Sequence, residues 1–254
     1  MYISQAHLRH LRDCPRHFQY RYLNRLGLPD PLAPTPAQQL GREFHRLMQQ
    51  HFHGLDIHPL LDTQPILQEW FQRFEDTPPP MITGTRYTEH RCSSALLGFT
   101  LVGIYDLVIF GSEGAQILDW KTYPQPPAQN TLAHHWQTRL YCYLLAATTH
   151  YRPDQISMTY WFAQEPPPAN FYTVRYSQLQ HQQVEKDLRQ QLQQLHPWLA
   201  NHANGQDLPQ VPPELIPKYC YTCAFQQRCQ RTPPSQENPL DPYLAVLEDA
   251  IIPP

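Results

Sequence analysis

The sequence predicts a mixed α/β fold in which one central sheet is flanked by helices. Three observations carry this prediction. Residues 37 to 52 place Leu40, Phe44, Leu47 and Met48 on one helical face. Residues 86 to 122 switch to runs rich in β-branched and aromatic residues. Helical periodicity then returns before another apolar strand at 155 to 163.

Taken in order, a first helix starts near Ser4, a residue suited to an N-cap. The second runs from about Ala37 to Phe52. Strands follow at Arg86 to Leu96, Phe99 to Phe110 and Ala115 to Thr122, separated by turn residues. A helix is expected from Thr131 to Thr149, a strand at Gln155 to Ala163, a hairpin partner at Phe171 to Tyr176 and a glutamine-rich helix from Ser177 to Ala203. Proline clusters punctuate these elements at Pro29 to Pro36, Pro78 to Pro80, Pro124 to Pro127, Pro166 to Pro168 and Pro209 to Pro217. No internal repeat divides the chain, so residues 1–231 are expected to form one domain, with 232–254 as a surface tail.

A hydrophobic content of 41% with 12% aromatic residues is enough for a sizeable core. The chain has no run of about 18 apolar residues and no signal-like N-terminus, so a soluble, cytoplasmic protein is expected, with no membrane partner. A net charge of -3 excludes general attraction to a polyanion. Locally, Arg9, Arg12, Arg16, Arg21, Arg25, Arg42 and Arg46 face only Asp13, Asp30 and Glu43. That segment reads either as a nucleic-acid surface or as a solvated helix face.

The most informative stretch is GIYDLVIFGSEGAQILDWKT, residues 103–122. If Phe110 pairs with Ala115 across the turn, counting back pairs Leu107 with Leu118 and then Asp106 with Asp119. Two opposed carboxylates destabilise a sheet unless a cation lies between them. Hard oxygen ligands suit Mg²⁺ or Mn²⁺. Lys121 follows Asp119 by two, so strand alternation puts ammonium and carboxylate on one face. A metal and a lysine together suit phosphodiester hydrolysis, in which charge develops on phosphate oxygens. A lone D-x-K would be weak evidence.

These residues resemble the RecB-like branch of the PD-(D/E)XK nucleases, whose pattern runs from a helix histidine through G-x-x-D and D-x-K to Q-x-x-x-Y. Here Gly41 and His45, Gly103 and Asp106, Asp119 and Lys121, and Gln137 and Tyr141 stand in that order. The resemblance implies a restriction-endonuclease-like core, His45, Asp106 and Asp119 as metal ligands, and Lys121, Gln137 and Tyr141 beside them in the catalytic set. By itself His45 would read as a packed core histidine, and the Gln137–Tyr141 spacing would serve ordinary helix packing. Glu89 stands where such nucleases often carry an acid on the first strand.

Of the six cysteines, Cys220, Cys223 and Cys229 are closely spaced, and Cys14 supplies a fourth thiol if the chain ends meet. Four thiolates fit a 4Fe-4S cluster or a structural Zn²⁺. The set is similar to that of the iron-sulfur nucleases of the same branch, the CRISPR-adaptation exonucleases and AddB-type nucleases. That likeness implies a 4Fe-4S cluster joining the termini, with residues 1–30 and 209–231 around it. Cys92 and Cys142 read as core thiols. The resemblance further implies DNA as substrate, single-stranded ends above all, and a repair or CRISPR-adaptation protein as partner. Phe18, Tyr20 and Tyr22 could stack bases or lie buried under the cluster. The rival readings are a non-catalytic iron-sulfur DNA-binding module and a redox-sensing iron-sulfur protein.

Overall fold

The computed structural model describes residues 1–26, 35–62, 64–168 and 170–231. The expected tail, 232–254, and residues 27–30 of the expected cluster region lie outside the described residues. In chain order the elements are β1 (Tyr2–Ile3), α1 (Gln5–Asp13), α2 (Pro15–Phe18) with a following π-helical turn (Gln19–Leu23), α3 (Pro36–Phe52), α4 (His58–Leu61) and α5 (Pro65–Asp76). Then come β2 (Thr85–Leu96), β3 (Phe99–Phe110), β4 (Ala115–Lys121), α6 (Gln129–His134), α7 (Trp136–Thr148), β5 (Ile156–Phe162), β6 (Phe171–Arg175), α8 (Gln178–Ala203) and α9 (Ile216–Tyr219). Among the described residues no helix is long and apolar enough to cross a membrane.

The described residues fall into two compact units, one within Met1–Ala33, Ala95–Thr100 and Lys186–Pro254, the other within Pro34–Ser94 and Leu101–Glu185.

The second unit holds the mixed sheet. β3 and β4 pair antiparallel, β4 and β5 parallel, and β5 and β6 antiparallel, while β2 pairs with β3. β4 is central and buried along almost its whole length, as a strand covered on both faces must be. One face packs on α3 and α5 through Phe44, Leu47, Met48, Leu67, Trp70, Phe71 and Phe74, which meet Leu107, Leu118, Trp120 and Trp161 from the strands. The other face carries α7, where Tyr105 packs its ring on Tyr141 at 5.0 Å.

α3 begins on a capping box. Thr35 Oγ1 accepts from the Gln38 N–H at 3.2 Å, Gln38 Oε1 accepts from the Thr35 N–H at 2.9 Å, and Pro36 follows at the first helical position. The sequence reading omits α5, although Pro65 and the spacing of Leu67, Trp70, Phe71 and Phe74 are a helical signal. The expected single helix after β4 is two, because His135 adopts extended backbone between α6 and α7.

In the first unit, α2 and the turn after it are tied to residues 207–209. The Arg16 N–H donates to the Pro209 carbonyl at 3.0 Å and Arg16 Nε to the Leu208 carbonyl at 2.7 Å. Arg16 Nη1 lies 2.9 Å from Asp207 Oδ2. Buried Gln19 donates to Asp207 Oδ1 at 2.6 Å and accepts from the Leu208 N–H at 2.7 Å. These contacts correct the base-stacking alternative for Phe18 and Tyr20. Phe18 is fully buried, and Tyr20 is buried with the Arg16 and Arg228 guanidiniums over its ring. Tyr22 stacks on His7 at 3.9 Å. Part of the arginine excess is likewise spent internally, on Arg16 with Asp207 and Arg12 with Asp13.

Candidate active site

The β3–β4 ladder follows the expected register from Phe110↔Ala115 to Leu107↔Leu118. Asp106 and Asp119 are not its next pair. Instead Asp106 Oδ2 accepts the Trp120 backbone N–H at 2.8 Å, so a carboxylate oxygen takes a strand N–H that would otherwise seek a neighbouring carbonyl. Regular alternation would put Tyr105 and Leu107 on one face. Tyr105 packs against Tyr141 of α7, whereas Leu107 belongs to the core shared with α3 and α5. The alternation therefore slips at Asp106, an irregularity of the bulge kind that re-aims a side chain.

The other oxygen, Asp106 Oδ1, lies 3.3 Å from His45 Nδ1. Burial pushes the Asp106 carboxyl up, but His45, the Trp120 N–H and the Lys121 charge outweigh it and hold the group below the usual carboxylate range. Burial lowers His45, and the neighbouring Asp106 reverses that and raises it.

Asp119 is buried, and desolvation pushes it up to about 6, with Lys121 opposing and Asp106 adding to the rise. Gln137 Nε2 donates to Asp119 Oδ1 at 2.6 Å, and Lys121 Nζ donates to Gln137 Oε1 at 2.9 Å. Asp119 Oδ2 has the Lys121 ammonium 2.6 Å away but no aligned hydrogen bond. Asp119, Lys121 and Gln137 thus form a closed triangle. The expected shared face of Asp119 and Lys121 is what the strand delivers.

Tyr141 lies one turn beyond Gln137. Its ring covers Gly103, where an added Cβ would come within 2.9 Å of Tyr141 Cε1 and 3.3 Å of Leu144 Cδ1. The glycine is what lets α7 approach β3 this closely. Burial, then the Asp119 and Asp106 charges, raise the Tyr141 phenol, which stays protonated.

Glu89 is an exposed residue in the left-handed region (φ 46°) in the middle of β2, a costly conformation for a residue with a side chain. Its carboxyl is raised, first because the surrounding chain partly desolvates the group and then by the Asp106 and Asp119 charges.

The donor set suits a hard divalent cation: two carboxylates whose charges oppose each other, one oxygen without an aligned hydrogen bond, and an imidazole beside them. Among the described residues no three His, Cys, Asp or Glu side chains already converge as a metal-binding group. Here Gln137 and Lys121 occupy the Asp119 oxygens, so a cation would have to displace one of them.

In the first unit Cys14, Cys220, Cys223 and Cys229 are free thiols. Burial raises Cys220 and Cys229 and pushes Cys223 up to about 11, and in each case the charge of Cys14 adds to the rise. Cys223 Sγ lies 3.6 Å from His17 Nδ1. Cys142 is fully buried and Cys92 is buried with its Sγ 2.9 Å from Thr148 Oγ1, which agrees with core roles.

The family model of the PD-(D/E)XK nuclease superfamily matches residues 2–230. The chain belongs to that superfamily. No curated protein matches this nuclease-superfamily chain. A solved candidate exonuclease from Eubacterium rectale is 11% identical, covering 96% of this chain and 92% of its own, with a TM-score of 0.54. The crystal structure of SSO0001 is 15% identical over 90% of this chain and 85% of its own, with a TM-score of 0.47. At these identities the first likeness speaks for the nuclease-superfamily fold alone.

Sequence reasoning missed three participants in this candidate site: the Trp120 N–H on Asp106, Tyr160 against the Lys121 ammonium, and Thr138 on the Tyr160 hydroxyl. None carries a local signal, since each enters through a long-range pairing.

Proposed function

We propose that this chain is a Mg²⁺- or Mn²⁺-dependent deoxyribonuclease of the RecB-like branch, an exonuclease on single-stranded DNA ends in repair, recombination or CRISPR adaptation. The observation that carries the reading is that His45 with Asp106, at 3.3 Å, and the Asp119–Lys121–Gln137 triangle, at 2.6 to 2.9 Å, are tied together by the Trp120 N–H on Asp106. His45, Asp106 and Asp119 would hold the cation. When bound, a divalent ion supplies Lewis-acid polarisation of the phosphate and a more acidic water.

The chain's own residues supply the rest. The Trp120 N–H fixes one Asp106 oxygen and leaves the other facing His45. Lys121 presents an ammonium that neutralises charge developing on the phosphate. Gln137 holds that ammonium with its carbonyl and Asp119 with its amide, so carboxylate and cation keep a fixed separation. Tyr141, packed on Gly103, anchors the helix that carries Gln137.

The second part of the proposal is a 4Fe-4S cluster on Cys14, Cys220, Cys223 and Cys229, with Zn²⁺ as the alternative occupant. Its support is that Cys14 lies near enough to Cys220, Cys223 and Cys229 to act on each of them, and the tie between α2 and residues 207–209 that holds both ends of the ligand set in one unit.

The test is cleavage by anaerobically purified protein of single-stranded and duplex DNA labelled at either end, with Mg²⁺, Mn²⁺ or EDTA. Short products from single-stranded ends, lost in EDTA and in Asp119→Ala, are expected. Cleavage that survives both would sink the proposed site.

A further inference from the structure

Tyr160 is fully buried on β5, paired in register beside Asp119 on β4. Its ring lies under the Lys121 ammonium, with Nζ 5.5 Å from the ring centroid. A cation within about 6 Å of an aromatic face is attracted by the ring quadrupole, and more strongly where water is excluded. Lys121 is itself largely buried, with a side chain 12% exposed.

The phenol end of the ring is fixed. Thr138 Oγ1 donates its single proton to the Leu132 carbonyl at 2.5 Å, so at 2.7 Å it accepts the Tyr160 O–H. Thr138 follows Gln137 on α7. One helical turn therefore sets both supports of the ammonium, the Gln137 carbonyl directly and the Tyr160 ring through its hydroxyl. The O–H is committed to Thr138, which leaves the π face as what Tyr160 offers Lys121.

We propose that Tyr160 is a positioning residue for Lys121, its ring face and the Gln137 carbonyl together holding the ammonium over Asp119. This rests on the reading of Lys121 as the catalytic cation. It adds a residue outside every motif that led to the site.

Two measurements test it in the full-length protein. Lysine occurs only at 121, 186 and 218, so the side-chain ε-CH₂ signals of isotope-labelled lysine are few and can be assigned with Lys121→Ala. The Lys121 signal should lie upfield of the other two through the ring current, stay there in Tyr160→Phe and return to the common position in Tyr160→Leu. Kinetically, Tyr160→Leu should lower kcat by about two- to thirtyfold with little change in KM, the range a cation–π contact of about 0.5–2 kcal/mol allows. Tyr160→Phe should recover most of that loss. In a Lys121→Ala background, Tyr160→Leu should cost nothing further, because its effect passes through the lysine.

A Lys121 signal unshifted in the wild type would overturn the proposal without any variant having to fold. So would an equal loss in the Lys121→Ala background, or failure of Tyr160→Phe to recover the rate. Should Lys121→Ala cut DNA at the wild-type rate, the catalytic reading of Lys121 fails, while the chemical shift still decides whether Tyr160 holds the ammonium.

Discussion

The Trp120 backbone N–H donates to Asp106 Oδ2 at 2.8 Å, just where the β3–β4 ladder has stopped. A strand N–H buried beside a carboxylate does two things. It satisfies a backbone donor, and it favours the charged form of Asp106 against desolvation. The carboxylate that would carry the cation is thereby fixed by the strand bearing Asp119 and Lys121.

Asp119→Ala and Lys121→Ala should each lower single-turnover cleavage by at least about 10²- to 10³-fold, the range seen when one stabiliser of transition-state charge is removed. Unfolding midpoints of the variants, measured in parallel, should fall for Lys121→Ala, which leaves the buried Asp119 carboxyl without its ammonium, so rates are compared where each variant is fully folded. A cleavage rate within a factor of two of wild type for either variant would rule out the proposed roles.

Gly103→Ala should destabilise the protein by about 1–3 kcal/mol, because the new Cβ meets the Tyr141 ring and Leu144 at 2.9 to 3.3 Å and α7 must shift. Denaturant unfolding reads the loss. Because α7 also carries Gln137, cleavage should fall with it, and a variant as stable and active as wild type would show that the close approach is not required.

Gln19→Ala should cost about 1–3 kcal/mol, since it leaves the buried Leu208 N–H without an acceptor and Asp207 without one of its donors. Amide exchange at Leu208 should quicken in the same variant. Unchanged exchange there would mean that residues 207–209 are held by other contacts.

The first unit should lose stability on acidification through His7. Its Nδ1 accepts from the Ser4 N–H at 3.3 Å, with Ser4 Oγ at 2.7 Å, and burial, then the Arg21 charge, lowers its pKa from 6.5 to about 4. The unfolded chain takes up this proton below pH 6.5 and the folded chain only near 4, so the contribution is intact above 6.5 and is lost between 6.5 and 4. The effect is at most about 3 kcal/mol. Unfolding curves at pH 7.5 and 4.5 should differ less in His7→Gln than in wild type, and an equal difference would assign the acid sensitivity elsewhere.

Anaerobically purified protein should be brown and contain iron and sulfide, and Cys14→Ala should bleach it while Cys92→Ala and Cys142→Ala leave the colour unchanged. Zinc without iron, or a full cluster in Cys14→Ala, would overturn the ligand set and leave the superfamily assignment in place.

Local pattern was enough to read β3, β4, the turn between them and the D-x-K placement, because strand alternation and a four-residue turn constrain neighbours in the chain. The same holds for α3, whose apolar face the sequence spells out. It also sufficed for the superfamily, since His45, Asp106, Asp119, Lys121, Gln137 and Tyr141 stand in recognisable order. What tertiary structure decided is how those groups meet. The slip in alternation at Asp106 turns Tyr105 toward α7 and Leu107 toward the core with α3 and α5, and no window of neighbouring residues contains those partners. The parallel pairing of β4 with β5 brings Tyr160 beside Asp119 across an intervening helix pair. The ties of Arg16 and Gln19 to residues 207–209 span about 190 positions. Periodicity reports which face a side chain takes, whereas hydrogen-bond partners across long loops are chosen only when the packed core has fixed the distances.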